Sequence, residues 1–159
     1  MASSQKNSSA SQGTTRGRVL AIDYGRKRVG LALSDEMRLT ARPAETLVRT
    51  NRRDDVRRLR DVVRKNGVRQ IVVGYPVRLD GSAGEMAEEA ARFAKRIQKE
   101  LGLPVEMVDE RLSSWKAEET LAATEGTRKK GETGFDAVAA AVILRDYLER
   151  EQTQKQTKK

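Results

Sequence analysis

The sequence predicts a mixed α/β sheet covered by helices on both faces. Short apolar runs recur along the chain, each bounded by turn signals. The first two, Val19–Tyr24 and Val29–Ser34, follow each other at hairpin spacing. The later ones alternate with amphipathic helical stripes, which is the pattern of parallel crossovers.

Taken in order, Val19–Tyr24 reads as a buried first strand, and Gly25-Arg26-Lys27-Arg28 as a turn. Val29–Ser34 is the second strand. A third lies within Leu39–Val48, where Pro43 pushes the segment to a sheet edge because it has no N–H to donate. Asn51 or a neighbour caps a helix with its apolar stripe at Val56, Leu59, Val62 and Val63. Asp54 and Asp55 suit its first turn and Gly67 its end. Gln70–Gly74 is a continuous apolar strand of parallel type. A long helix follows Gly84, with Met86, Ala90, Phe93, Ala94, Ile97 and Leu101 on one side. Pro104–Val108 is a fifth strand, and Ser113 or Ser114 caps a helix to about Glu125. Residues 126–134 form a charged, Gly-rich loop. The last helix buries Phe135, Val138, Ala139, Val142, Ile143 and Tyr147. Residues 1–17 and 151–159 are polar and read as disordered tails around a single domain, 18–150.

Bulk properties narrow the function. Of 159 residues, 35% are charged, against about 25% in an ordinary globular chain, and the formal net charge is +9. A basic surface favours polyanions such as RNA or DNA. The chain has no cysteine and no histidine. Disulfides, Cys/His zinc sites and any catalytic histidine are therefore excluded. No apolar run approaches the roughly 20 residues of a membrane span. Residues 1–17 lack the apolar core of a signal peptide. No membrane association and a cytoplasmic location are the expectation.

Three acids stand out: Asp23, Glu110 and Asp136. Asp23 interrupts the apolar first strand, although aspartate is depleted in strands. Backbone amides could satisfy it, but the Gly25 turn beside it would let a phosphate approach. Glu110 sits in Asp109-Glu110-Arg111, just past a strand end, where ligands gather in open α/β sheets. Alternation puts Asp109 and Glu110 on opposite faces, and the residues alone do not choose between them. Asp136 opens the last helix, where an acid is favoured by the helix dipole in any case. Its weight comes from the other two. Converging carboxylates repel unless a divalent cation neutralises them, which points to magnesium-type chemistry on phosphates. Gly126–Thr133 mimics the spacing of a phosphate-binding P-loop but carries Glu132 where lysine belongs, and is rejected. Its Arg128, Lys129 and Lys130 instead suit a nucleic-acid backbone. The segment from Asp23 to Gly30 fits either the phosphate hairpin of actin-like ATPases or the first acidic strand of ribonuclease H-like nucleases. The former needs two domains, and this chain has room for one.

Four segments in the same order closely resemble the YqgF/RuvX family of candidate pre-16S rRNA nucleases, formerly regarded as Holliday-junction resolvases. They are Val19–Gly25 with Val29-Gly30, Val73–Pro76 with Asp80–Ser82, Asp109–Ser114, and Asp136–Ala140 with Ile143-Leu144 and Tyr147-Leu148. The resemblance spans about Arg18 to Arg150. It implies a ribonuclease H-like fold, a mixed five-stranded sheet with helices on both faces. It maps the family's three acids to Asp23, Glu110 and Asp136, and so prefers Glu110 to Asp109. Tyr75 in place of a commoner leucine, Trp115 after the serine pair and the Ser/Gln-rich N-terminal segment depart from the family pattern without touching the acids.

The expected activity is therefore metal-dependent phosphodiester hydrolysis, with the three acids holding Mg²⁺ or Mn²⁺ and water attacking in line. Arg26, Lys27, Arg28, Arg78, Arg111, Ser113, Ser114 and Arg128–Lys130 are candidate nucleic-acid contacts. By resemblance the role is 5′-end maturation of 16S ribosomal RNA, with RNA favoured over DNA and a pre-ribosomal particle as a partner. A monomer or weak homodimer is expected. A DNA-junction nuclease and a non-catalytic nucleic-acid-binding transcription factor are the rival readings.

Overall fold

Five strands form one sheet in the order β3-β2-β1-β4-β5. The computed structural model describes residues 17–75, 84–109 and 133–157, with side chains from 136 to 155 in the last stretch. Strands β1 (Arg18–Asp23), β2 (Arg28–Ser34) and β3 (Ala41–Val48) make an antiparallel meander. Helix α1 (Arg52–Asn66) then crosses to β4 (Val68–Tyr75), which pairs parallel with β1. Helix α2 (Glu85–Leu101) crosses to β5 (Val105–Asp109), parallel to β4. Helix α3 (Thr133–Thr157) packs back on the first strands. This is the mixed five-stranded sheet expected from the sequence. The expected helix after Ser113 and residues 126–132 of the loop expected at 126–134 lie outside the described residues, as do residues 1–16.

Alternation along β1 divides the core. Leu20, Ile22 and Tyr24 pack with Leu59, Phe93 and Ile97 under α1 and α2. Val19 and Ala21 pack with Ala140, Ile143, Leu144 and Tyr147 under α3. Helices therefore cover both faces. The edge position of β3 follows from Pro43: the β2–β3 register shifts between Gly30 and Ala32, next to the Pro43 pairing with Ala32. Asn51 caps α1, its side chain accepting from the Asp54 amide at 2.9 Å. At the other end the Gly67 amide donates to the Val63 carbonyl.

Two expectations are corrected. Helix α3 does not stop at 150 but continues to Thr157. Its polar end looks like a tail by composition, yet Glu, Gln and Lys are good helix formers, and extending an existing helix needs no new nucleus. Glu151 also ties this turn down, 3.0 Å from the buried Tyr147 hydroxyl. That hydroxyl accepts from Gln70 and faces Glu106 as well. Burial first, then Glu151 and Glu106, push its ionisation upward. The second correction is at the other end of α3: residues 133 and 134, expected in the preceding loop, already belong to the helix. Along the helix Ala139, Val142, Ile143 and Tyr147 are buried as expected, Val138 is partly buried, and Ala137, Ala140, Leu144 and Leu148 are buried as well. Among the described residues, no helix is long and apolar enough to cross a membrane.

Candidate functional site

Asp23 ends β1 and is buried. In the sheet it stands between two glycines, Gly30 of β2 and Gly74 of β4. By alternation its side chain shares the face of Val19 and Ala21, which is the α3 face. The first turn of α3 closes on that spot. A methyl group at Gly30 would overlap the Asp136 carbonyl, so α3 approaches the sheet closely here only because residue 30 has no side chain. The ladder partner of Gly30 is Asp23, and the backbone lying on Gly30 is that of Asp136. Two of the three candidate acids, 113 positions apart by number, are thus gathered at one end of the sheet.

The Asp136 carboxylate is largely enclosed, with its side chain 13% exposed, and it accepts from Arg28 Nε at 3.1 Å. Asp109 ends β5, and alternation sets it opposite to Val108. Val108 belongs to the α3 face, so Asp109 belongs to the other face and not with Asp23. Glu110, Arg78, Arg111, Ser113, Ser114, Arg128, Lys129 and Lys130 lie outside the described residues. Carboxylate oxygens are hard donors that suit Mg²⁺ or Mn²⁺, so Asp23 and Asp136 fit such an ion in kind.

The β1–β2 turn is built from behind. A Cβ on Gly25 would collide with the Arg28 carbonyl, so the tight turn requires glycine. Arg49, just before α1, donates from its terminal nitrogen to the Gly25 carbonyl at 3.1 Å. Its guanidinium lies 5.1 Å from the Tyr24 ring centre and 5.4 Å from that of Phe93. Its Nε donates at 3.2 Å to Asp55. Asp55 also accepts from the Thr50 amide at 3.0 Å and from Arg58 at 2.9 Å. Sequence reasoning missed this group. Asp55 has the signature of an ordinary first-turn acid, and only tertiary packing reveals that it is buried.

The three turn cations, expected to be nucleic-acid contacts, differ in the fold. Arg26 grips Glu89 through three hydrogen bonds of 2.7 to 3.1 Å. Arg28 is held by Asp136. Lys27 is exposed.

Comparison with known proteins agrees with this fold. The RuvX family, described as Holliday junction resolvase, matches residues 17–150. A relative from Koribacter versatilis, named as a candidate pre-16S rRNA nuclease, is 44% identical over 134 residues, covering 84% of this chain and 88% of its own. One of the same name from Geobacillus kaustophilus is also 44% identical, covering 83% and 97%. Among solved structures, RuvC of T. thermophilus in complex with a Holliday junction substrate superposes with a TM-score of 0.55 at 18% identity, over 85% of this chain and 96% of that one. A second Thermus thermophilus RuvC structure gives 0.53 at 14%. At such identity the likeness concerns the fold, which is ribonuclease H-like. With a family match across nearly all of the described sheet and helices, and with relatives at 44% identity, the chain belongs to the RuvX family.

Proposed function

We propose that this protein is a divalent-metal-dependent nuclease acting in 5′-end maturation of pre-16S ribosomal RNA in the cytoplasm. The observation that carries the reading is the meeting of Asp23 and Asp136 across Gly30, at the strand ends where α/β sheets bind ligands. The names of the relatives support the substrate class. Glu110 completes the set in this proposal, since Asp109 belongs to the opposite face. A bound Mg²⁺ or Mn²⁺ would neutralise the acids, activate water and stabilise charge on the phosphate oxygens. Asp23 and Asp136 would hold the ion. Gly30 lets α3 come close enough for both to reach it, and Gly25 keeps the turn narrow. With Arg26 and Arg28 engaged by carboxylates, Lys27, Arg78, Arg111, Ser113, Ser114 and Arg128–Lys130 are the proposed substrate contacts. A monomer or weak homodimer is the proposed working form.

The test is cleavage of a single-stranded RNA spanning the 5′ end of 16S rRNA, beside a four-way DNA junction, in Mn²⁺ and in EDTA. The expected outcome is Mn²⁺-dependent cutting of the RNA that Asp23→Asn abolishes, with the folded state retained by circular dichroism. Preferential cutting of the junction would move the assignment to DNA. Tight RNA binding without cutting of either substrate would make the protein a binding factor.

A further inference from the structure

Helix α1 carries seven cations, Arg52, Arg53, Arg57, Arg58, Arg60, Arg64 and Lys65, against three acids, Asp54, Asp55 and Asp61. Four of the arginines are in register. At 100° per residue, Arg53, Arg57, Arg60 and Arg64 fall within a sector about 60° wide and span about 16 Å of helix. The sector points away from the buried Asp55, Val56, Leu59 and Val62. Arg53, Arg57 and Arg64 are exposed. Arg60 is half-buried and donates to the Glu100 carbonyl of α2 at 3.2 Å. Asp54, 3.2 Å from Arg57, and Asp61 border one side of the stripe without breaking it. A solvated helix face ordinarily mixes signs. Here like charges stand three and four residues apart, a spacing at which they repel and weaken the helix. The exposed face of α2 adds Arg92, Lys95 and Lys99.

The stripe also has a direction. The residue pair Arg49-Thr50 that leads into α1 is fastened to the Gly25 carbonyl and to Asp55, so α1 starts behind the turn that follows Asp23. Its last carbonyls lie at the start of β1, where Arg18 donates to the Asn66 carbonyl at 3.1 Å. The arginines therefore run the length of β1, on the sheet face opposite to Asp23 and Asp136.

We propose that this stripe is a second RNA-binding surface, holding the sugar–phosphate backbone away from the phosphate that is cut. The proposal rests on the nuclease reading above. Guanidinium groups match phosphate with paired hydrogen bonds, and a row of them fits a repeating anion. An anionic membrane fits less well, because surface-seeking helices present apolar side chains beside their cations and the apolar side of α1 is buried against the sheet. The stripe extends the footprint beyond the cleavage site and makes long RNA bind tighter than short RNA.

The experiment uses the full chain carrying Asp23→Asn, so that RNA stays intact. Binding of labelled single-stranded RNA of about 30 and about 6 nucleotides is measured from 50 to 200 mM salt, these being the range over which phosphate contacts are read. It is repeated with Arg53→Gln/Arg57→Gln/Arg64→Gln and with the corresponding triple lysine variant. Each lost contact should lower the salt slope by about 0.7, so the glutamine variant should show a slope smaller by about 2 on long RNA. Its affinity at low salt should fall at least tenfold, with little change on the short RNA. The lysine variant should keep the slope, which separates charge from fold. Equal slopes for the parent and the glutamine variant would overturn the proposal while leaving the nuclease reading intact. A parent that binds neither RNA would overturn both.

Discussion

Asp55 on α1 and Asp136 on α3 are both acids in first helical turns, and they sit on opposite faces of the same sheet. Their surroundings differ. Asp55 is enclosed by Arg49, Arg58 and the Thr50 amide, each within 3.2 Å. Burial pushes its carboxyl up, but the Thr50 amide, Arg58 and Arg49 outweigh that and hold it below the ordinary carboxylate value. Asp136 instead lies over Gly30 of β2, the ladder partner of a second acid, Asp23, and its ion-pair cation, Arg28, has a side chain 35% exposed at the rim. Asp55 thus belongs to a closed, locally neutralised lock that fixes the Gly25 turn. Asp136 belongs to a place where carboxylates are concentrated beside solvent. The helix dipole favours both acids equally, so first-turn position says nothing about role. What the neighbouring strand contributes decides it.

The sharpest way to break this contrast is Asp55→Asn. The amide keeps the shape but leaves two guanidinium groups in place without their counter-charge, which should cost about 3 kcal/mol or more of stability. The acid response follows from the depressed pKa. Protons bind the unfolded carboxyl more readily, so its contribution is complete above the unfolded value of about 4 and is lost as pH falls through the lower folded value. Urea unfolding from pH 7 down to pH 3 should show the wild type losing stability more steeply than Asp55→Asn. Parallel curves would mean that Asp55 is not the lock.

On the other face, Gly30→Ala should act through the seating of α3. The added methyl group meets backbone, which cannot swing aside as a side chain can. Overpacking of this kind costs about 1 to 3 kcal/mol. It should also separate Asp136 from Asp23, so Mn²⁺ affinity measured by calorimetry should fall together with the melting temperature. A lower melting temperature with unchanged Mn²⁺ affinity would show that the two acids do not act on one ion.

These contrasts mark the border of what the sequence makes legible. Local signals were sufficient for the strands, for the Asn51 cap and Gly67 end of α1, and for Pro43 at an edge, because hydrogen-bond supply and hydrophobic period act over a few residues. Asp23 was legible because an acid in a strand flanked by apolar residues violates propensity. Asp55 was not, because it violates nothing locally. Arg26 and Arg28 read as a free basic turn, whereas their partners Glu89 and Asp136 lie 63 and 108 positions away. The end of α3 was misread because polar composition alone does not separate a tail from a helix that is already nucleated. The choice of Glu110 over Asp109 rests on family resemblance; strand parity sets Asp109 on the far face, and Glu110 lies outside the described residues.

The smallest effect is expected at Arg28, and it bears most directly on the site. Two forces could hold α3 over Gly30: apolar burial and the Arg28–Asp136 ion pair. Ile143 and Leu144 are essentially fully buried, each contributing about 1.5 to 3 kcal/mol. A pair whose cation is a third exposed contributes about 0 to 1 kcal/mol. Packing therefore seats the helix, and the ion pair is free to exchange. Arg28→Gln should then change stability by less than about 1 kcal/mol. A divalent ion and Arg28 would compete for the same Asp136 oxygens, so removing the guanidinium should tighten Mn²⁺ binding at fixed ionic strength. Without metal, RNA binding should hardly change, because Arg28 is then engaged with a carboxylate rather than offered to phosphate. Calorimetric titration of Mn²⁺ into the wild type and Arg28→Gln decides the point. Weaker binding in the variant would mean that Arg28 orients Asp136 for the ion, and that the pair is part of the metal-loaded site rather than its stand-in.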